Sequence, residues 1–190
     1  MNKIFCIGQN KTGTTSLARA LSSLGYKVCP EEIMYNLGSE YFKKFQENKY
    51  DDLLDLVDLY DAFEDRPWNH TDFYKVLDKT YKDSRFILTT RDVEEWWRSY
   101  SRWGERVDLK NSWHYKMNSN VCYGVDSFLD NPNLAKQAYL NRNREVRNYF
   151  KGSSNFLEIN IEENNKFEKL CNFLGTQNEG HQFPHLNRTI

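Results

Sequence analysis

A lysine, two glycines and three hydroxyl residues follow an apolar run near the beginning of the chain. The run Ile4–Ile7 is typical of a buried strand, and apolar residues recur at helical spacing from Leu17 onward. The segment between them supplies the candidate anion ligands Lys11, Thr12, Gly13, Thr14, Thr15 and Ser16. A strand, a glycine turn and a helix start bring backbone N–H groups and the positive end of the helix dipole to one point. The sequence therefore predicts a phosphate-binding loop, although the hydroxyls are also compatible with plain helix caps.

The position of the lysine distinguishes between classes of phosphate-binding loop. A nucleoside-triphosphate P-loop reads G-x-x-x-x-G-K-[ST], with the lysine directly after the second glycine. Gly8 and Gly13 keep that spacing, but Thr14 occupies the lysine position and the lysine stands at Lys11. A cation at Lys11 still reaches an anion, but the usual partner of a magnesium-bound triphosphate is missing.

A second pair of candidate anion ligands lies in the middle of the chain. Phe86–Thr89 predicts a buried strand that ends on Arg91, and Ser99 follows eight residues later, about two turns into the next helix. A guanidinium offers a planar fork of donors that suits a phosphate. An arginine at a strand end is, by itself, equally typical of a structural ion pair. Arg98 and Arg102 flank Ser99, and we expect them to be solvated.

Acidic residues precede a proline that interrupts regular structure. Pro67 blocks continuation of a strand or helix, and Glu64 and Asp65 stand just before it. A carboxylate at the carboxyl end of a parallel strand lies at the edge where such sheets bind ligands. Asp65 is therefore the first candidate for a proton acceptor, with Glu64 as the alternative. Asp65 could equally cap a helix that begins near Asn69, and His70 is predicted to lie on a surface loop.

These motifs resemble those of sulfotransferases that use 3′-phosphoadenosine-5′-phosphosulfate (PAPS). Lys11–Ser16 looks like their 5′-phosphosulfate loop, and Arg91 and Ser99 keep the spacing of their 3′-phosphate ligands. Phenol and hydroxysteroid sulfotransferases carry His-Leu-Pro where this chain has Asp65–Pro67, so the match there is by position and not by residue. The Asp-x-Pro is similar to that of another branch of the superfamily, whose C-terminal Phe-Pro-x-x-Asn resembles residues 183–187.

The resemblance implies a fold and an activity. The fold would be a three-layer α/β/α domain over residues 1–190, P-loop-containing nucleoside triphosphate hydrolase-like, with a central, mostly parallel sheet; the alternation of strands and helices favours the same class. The activity would be transfer of a sulfuryl group from PAPS to a hydroxyl or amine of a small-molecule or glycan acceptor, releasing PAP without a metal. Lys11 would stabilise the leaving group and Asp65 would act as the base. Residues of about 104–133 would form a lid or acceptor segment.

A predicted helix near the end of the chain carries one further candidate. Arg142 shares a face with Tyr139 and Val146. In the Asp-x-Pro branch a similar helix carries a polar residue followed by Asn, here Arg142 and Asn143. A contact with the cofactor or the acceptor is one interpretation, and a solvated basic helix is the interpretation that we favour from the sequence.

Composition excludes several classes of function. The length of 190 residues suggests one domain, and a formal charge of −1 argues against broad nucleic-acid binding. No run approaches the ~18 apolar residues of a membrane span, and the start does not resemble a signal peptide. The four cysteines show no C-x-x-C pairing, which indicates reduced thiols and a cytoplasmic protein.

Two other functions remain compatible with the sequence. A P-loop nucleotide kinase or NTPase would need a magnesium carboxylate, for which Asp61 is available. A nucleotide-binding module without catalysis would fit the replacement of the family's histidine by Asp65. The sequence fixes neither the acceptor nor the oligomeric state.

Overall fold

The computed structural model describes residues 2–30, 33, 43–45, 47–112, 115–116, 127–178, 180 and 182–184. The strands are β1 (Ile4–Cys6), β2 (Ala62–Glu64), β3 (Arg85–Thr90) and β4 (Phe156–Asn160). The helices are α1 (Thr14–Ser23), α2 (Asp51–Leu59), α3 (Phe73–Thr80), α4 (Val93–Arg106), α5 (Pro132–Tyr149) and α6 (Lys166–Leu174), with a 3-10 turn at Leu109–Asn111. The strands form one parallel sheet in the order β2-β1-β3-β4. The predicted three-layer α/β/α fold is therefore confirmed.

Alternating side chains divide the core between the two faces of the sheet. On one face, the ring of Phe5 lies 5.1 Å from that of Phe63 in β2 and 5.5 Å from that of Phe86 in β3, and Phe86 is in register with Phe156 in β4. This row of phenylalanines packs against α2, α3 and α5. The residues in between point to the other face and pack against α1 and α6. Burial of each such ring contributes about 1.5–3 kcal/mol, so the row holds all four strands together.

A third cluster joins α4 to α5 outside the sheet. Trp96 of α4 stacks on Tyr139 of α5 with ring centroids 4.4 Å apart. Tyr115 packs into the same cluster, and its hydroxyl accepts hydrogen bonds from the N–H groups of Phe128 and Leu129. The described ends of the expected lid segment are thus anchored on these two helices. Residues 113–114 and 117–126 lie outside the described residues, so the role as a lid stays a prediction.

The region before β2 differs from the sequence interpretation in two places. The sequence of Tyr26–Cys29, which Pro30 ends, predicts a short second strand, but the structure contains there one parallel bridge, between Val28 and Ala62. Asp61 lies at the amino end of β2, where its carboxylate accepts a hydrogen bond from the N–H of Lys27. This is the edge of the sheet opposite the phosphate-binding loop, so the suggested role of Asp61 as a magnesium ligand is wrong.

The order of the strands brings three candidate groups to one edge. The loop after β1 begins at the carboxyl end of the central strand, and Asp65 and Arg91 directly follow the neighbouring strands β2 and β3. The connection that leaves β1 leads to β2 on one side, and the connection that leaves the neighbouring strand β3 leads to β4 on the other, which makes the point between β1 and β3 a topological switch. In open α/β sheets, ligands bind in the crevice at such a point.

Candidate active site

The loop between β1 and α1 leaves the start of the helix open. Lys11 and Gly13 have positive φ angles of 70° and 90°. A Cβ at Gly13 would lie 2.3 Å from the side chain of Ile161, so the position requires glycine. Gly13 precedes α1, and no side chain caps the helix there. The N-cap position is that of Gly13, and Thr14–Ser16 lie inside the first turn, so the alternative that these residues are the N-caps is wrong. The first N–H groups of α1 lie at the positive end of the helix dipole, where an anion is favoured.

Contacts with β3 fix the path of this loop. A Cβ at Gly8 would lie 2.0 Å from Thr89 Oγ1 and 2.8 Å from the Thr89 backbone, so the loop starts in direct contact with the neighbouring strand. Thr12 is fully buried, and its hydroxyl bonds to the carbonyl of Gln9 at 2.5 Å and to Thr89 Oγ1 at 2.7 Å. The N–H of Thr12 also donates to the Gln9 carbonyl. The buried hydroxyl of Thr12 thus stabilises the conformation of the loop.

The three hydroxyl residues of the first turn of α1 differ in exposure. Thr14 and Ser16 are buried, and Thr15 is exposed to solvent. All three stand at the positive end of the helix dipole, beside the open N–H groups. Thr15 is the hydroxyl most accessible to a ligand that arrives from solvent.

Lys11 lies in a concentration of positive charge. Its Nζ stands 5.6 Å from the ring centroid of Trp103. Burial lowers the pKa of Lys11, and the positive charges of Arg106 and Arg91 lower it further, while the charge of Asp65 partly opposes them. The three cations therefore share one region, which creates a local field that favours an anion although the net charge of the chain is −1.

Arg91 is held through both its side chain and its backbone. Its Nε lies 3.3 Å from Glu162 Oε1, and its Nη2 lies 3.8 Å from Glu95 Oε2. The side chain keeps 27% exposure. The backbone N–H and C=O of Arg91 both bond to the hydroxyl of Tyr139 at 2.9 Å. The sequence alternative, a structural ion pair, is thus present, and it leaves the guanidinium accessible and close enough to act on Lys11.

One face of α4 looks towards the loop. Trp96, Ser99, Trp103 and Arg106 recur at helical spacing on that face. Trp96 donates its indole N–H to the carbonyl of Asn10 at 3.0 Å, and Trp103 lies under the loop lysine. Half-buried Ser99 stands between these two contacts. Arg106 was missed in the sequence analysis, although its position seven residues after Ser99 placed it on the same face. Arg98 and Arg102 are exposed, as expected.

Asp65 is tied to the phosphate-binding loop by side-chain amides. Its Oδ2 accepts from Asn10 Nδ2 at 3.0 Å, and its Oδ1 accepts from the N–H of Arg66 at 2.8 Å and from Asn69 Nδ2 at 3.2 Å. Asn69 Nδ2 also donates to the carbonyl of Gly8 at 3.2 Å. The carboxylate does not cap α3, which begins further along the chain. It belongs instead to the wall of the loop.

Glu64, the alternative candidate for the base, and His70 lie elsewhere. Glu64 is in register with Cys6, on the face of the sheet that α1 covers. Burial raises the pKa of Cys6, and the charge of Glu64 raises it further. The carboxylate that acts on Lys11 is Asp65, so Asp65 is better placed than Glu64. His70 is only 2% exposed and meets the ring of Phe45 edge-on, so its predicted surface position is wrong.

Arg142 and Asn143 are buried beside this site. They are 8% and 2% exposed, so the solvated basic helix that the sequence favoured is wrong at these two positions. The guanidinium of Arg142 lies 4.6 Å from the ring centroid of Tyr74, and its Nη2 contacts the carbonyl of Asn69 at 3.4 Å. Arg142 thus packs against the segment that holds Asp65.

Metal ligands and membrane-spanning helices can be assessed within the described ranges. There, no three His, Cys, Asp or Glu side chains are grouped to hold a metal ion. In the same ranges, no helix has the length and apolar character needed to cross a bilayer. The described cysteines, Cys6, Cys29 and Cys171, are buried free thiols, and Cys122 lies outside the described residues.

The chain matches a known protein family over a range of residues that includes the candidate site. A family model described as a sulfotransferase domain matches residues 3–189. The matched range includes the loop after β1, Asp65, Arg91 and the tail with Phe183. No curated protein matches the chain.

Proposed function

The chain belongs to the sulfotransferase family, and we propose that it transfers a sulfuryl group from PAPS to a hydroxyl or amine of a small-molecule or glycan acceptor. The observation that carries the proposal is the convergence of Lys11, Arg91 and Asp65 at one sheet edge, beside an uncapped helix start. Bound there, the donor would supply the sulfuryl group on a phosphate leaving group.

The anion-binding groups fit the two charged ends of this donor. The N–H groups at the start of α1, the hydroxyls of Thr14–Ser16 and the charge of Lys11 would hold the 5′-phosphosulfate. Arg91 and Ser99 would hold the 3′-phosphate. Arg106 adds a third positive charge near Lys11. The mutual repulsion of these cations supports the proposal, because an anion relieves it.

The residues then have distinct roles in the transfer. The acceptor oxygen or nitrogen forms a bond to sulfur while the bond from sulfur to the bridging oxygen breaks, and PAP leaves. Lys11 stabilises the negative charge that develops on the bridging oxygen. The Asp65 carboxylate, oriented by Asn10 and Asn69, takes the acceptor proton.

Ligand binding tests the donor class. We expect PAP to bind without magnesium, and Arg91→Ala to weaken PAP by about tenfold or more, since a charged hydrogen bond contributes about 1.5–3 kcal/mol. Calorimetric titration of PAP and ATP, with and without magnesium, provides the measurement. Magnesium-dependent binding of ATP alone would instead indicate the kinase or NTPase, which the position of Thr14 disfavours.

Sulfate transfer tests Asp65 and separates an enzyme from a binding module. With labelled PAPS and a panel of acceptors, we expect Asp65→Asn to lower kcat by about 10²–10⁴ and to leave PAP affinity nearly unchanged. Asp72→Asn is the matched control, because Asp72 is an exposed carboxylate in an ion pair with Lys75. Full activity of Asp65→Asn would remove Asp65 as the base, and PAP binding without transfer to any acceptor would favour the module.

A further inference from the structure

We propose that Tyr139 of α5 is a positioning residue that sets the preference for a 3′-phosphorylated donor by holding Arg91 in place. The inference rests on the proposed function, in which Arg91 binds the 3′-phosphate. It concerns a residue of the helix opposite the phosphate-binding loop, to which no motif of the sequence assigns a role.

The Tyr139 hydroxyl is fully engaged with the end of β3. It accepts a hydrogen bond from the N–H of Arg91 and donates to the C=O of Arg91, both at 2.9 Å. Asn143 lies close enough to the same hydroxyl to lower the pKa of Tyr139. A phenol has a single O–H donor, and here that donor is used on the carbonyl of Arg91. Because β3 ends at Thr90, the hydroxyl takes the place that a neighbouring strand would occupy at Arg91.

The ring of Tyr139 is as firmly held as its hydroxyl. Tyr139 is 2% exposed and stacks on Trp96 with an interplanar angle of 13°. Burial raises the pKa of Tyr139, so the hydroxyl keeps its proton, and hence its donor, at neutral pH. The stacked Trp96 donates to the carbonyl of Asn10 in the phosphate-binding loop. The two stacked rings thus contact both proposed phosphate sites. Tyr139 bonds to Arg91 at the 3′-phosphate site, and Trp96 bonds to the loop at the 5′-phosphosulfate site.

Because the hydroxyl acts on Arg91, its effect on the affinity for a 3′-phosphate can be separated from binding of the 5′-phosphate. The direction of the Arg91 guanidinium depends on its backbone, which Tyr139 fixes, and on its contacts with Glu162 and Glu95. Without the hydroxyl, the N–H and C=O of Arg91 lose their hydrogen-bond partner. The backbone from which the guanidinium extends is then no longer held in place. Contacts of the 5′-phosphate with the loop and α1 do not pass through Arg91. Removal of the hydroxyl should therefore reduce the affinity for ligands that carry a 3′-phosphate.

The test compares PAP with adenosine 5′-monophosphate, which lacks the 3′-phosphate. For Tyr139→Phe we expect the ratio of the two affinities to fall about tenfold, with the affinity for the monophosphate changed less than about twofold. Tyr149→Phe is the matched control: it removes a hydroxyl from the same helix, about 15 Å further along, that bonds to Asp78. Its ratio should equal that of the wild type in calorimetric titrations.

The outcomes separate this inference from the proposed function. A wild type that prefers PAP and a Tyr139→Phe variant that keeps the full preference would overturn the role of Tyr139 and leave the proposed function standing. A wild type without any preference for PAP would overturn both. If Tyr139→Phe does not fold, Asn143→Ala takes its place: a ratio lowered about threefold supports the role, and an unchanged ratio refutes it.

Discussion

The surroundings of Lys11 disfavour its positive charge. Burial and the two neighbouring arginines all lower the pKa of Lys11, and Asp65 acts in the opposite direction. An anion with two or more negative charges would reverse this balance, because it adds attraction and raises the pKa of the lysine on binding. By linkage, a ligand that favours the protonated lysine must bind more weakly once the lysine is neutral.

The affinity for PAP should therefore fall at alkaline pH. As the pH rises through the lowered pKa of free Lys11, which lies below the usual 10.5, the site loses a positive charge and the Kd for PAP increases. Titrations of PAP between pH 7 and the alkaline limit of folding provide the measurement. In Lys11→Arg the side chain stays charged, so the affinity for PAP should not fall within the pH range of these titrations. An equal loss in this variant would contradict the assignment to Lys11.

At the residue scale, the sequence located the charged groups better than their surroundings. Lys11, Asp65 and Arg91 were predicted because glycine, proline and strand patterns mark the ends of elements, and strand ends meet at one edge. Arg106 and the burial of His70 were not predicted. The spacing of Arg106 from Ser99 was a signal that could have located it. The burial of His70 depends on which face of a turn packs against another element, and a single sequence gives no direct signal for that choice.

The phosphate-binding loop is an element whose shape depends on contact with β3. Gly8 lies so close to Thr89 that any side chain must displace the backbone of the central part of the sheet. The hydroxyl of Thr12 then fastens the next turn of the loop to the side chain of the same Thr89. Loop and strand are thus packed as one unit, and Arg91 follows Thr89 by two residues.

Gly8→Ala should damage this unit. We expect a loss of about 1–3 kcal/mol in the free energy of unfolding, as for overpacked cores, and a marked loss of PAP affinity. Gly25→Ala is the control: Gly25 has φ 87° and open space around it, so the strain of a left-handed alanine costs about 1 kcal/mol and spares the ligand. Denaturant unfolding and PAP titration measure both effects. Equal effects of the two substitutions would argue against the contact with Thr89 as the cause.

At the element scale, strong local signals were sufficient. Asp92 accepts hydrogen bonds from the N–H groups of Glu94 and Glu95 at the start of α4, and Gly175 ends α6 with φ 70°. The run of apolar residues from Leu53 to Phe63 is, from the sequence alone, compatible with a helix or with a buried strand. The structure contains both, α2 and then β2. The bridge at Val28 fell short of a strand, because its formation depends on pairing with a distant segment and not on local pattern.

At the scale of the whole molecule, one carboxylate connects three elements. Glu158 of β4 accepts hydrogen bonds from Arg147 Nε and Nη2 of α5, both at 2.7 Å, and from Thr90 Oγ1 of β3 at 3.0 Å. Arg147 and Thr90 hold the pKa of Glu158 below its usual 4.5. A carboxylate with a lowered pKa stabilises the fold above its ordinary pKa and loses that contribution as the pH falls through the lowered value.

Glu158→Gln should therefore destabilise the protein in a way that depends on pH. We expect a loss of about 1 kcal/mol in the free energy of unfolding at pH 7, since the pair is partly exposed. The difference from the wild type should vanish once the pH has fallen below the lowered pKa of Glu158, where the wild-type carboxyl is also neutral. Denaturant unfolding across this range provides the measurement. Glu47→Gln, in an exposed pair with Lys49, should leave the stability nearly unchanged, and a pH-independent loss in Glu158→Gln would contradict the prediction.

The parallel sheet also governs how the chain folds. The central strand β1 comes first in the chain, yet Ile4 pairs with Ala62 on one side and with Arg85 on the other. Neither partner is a neighbour in sequence, so closing these long segments costs chain entropy before any strand contact is gained. During synthesis, the apolar residues of β1 gain their first strand partner only when β2 has emerged, and their second only when β3 has emerged. Folding should be slow for a chain of this size, and early truncation products should aggregate.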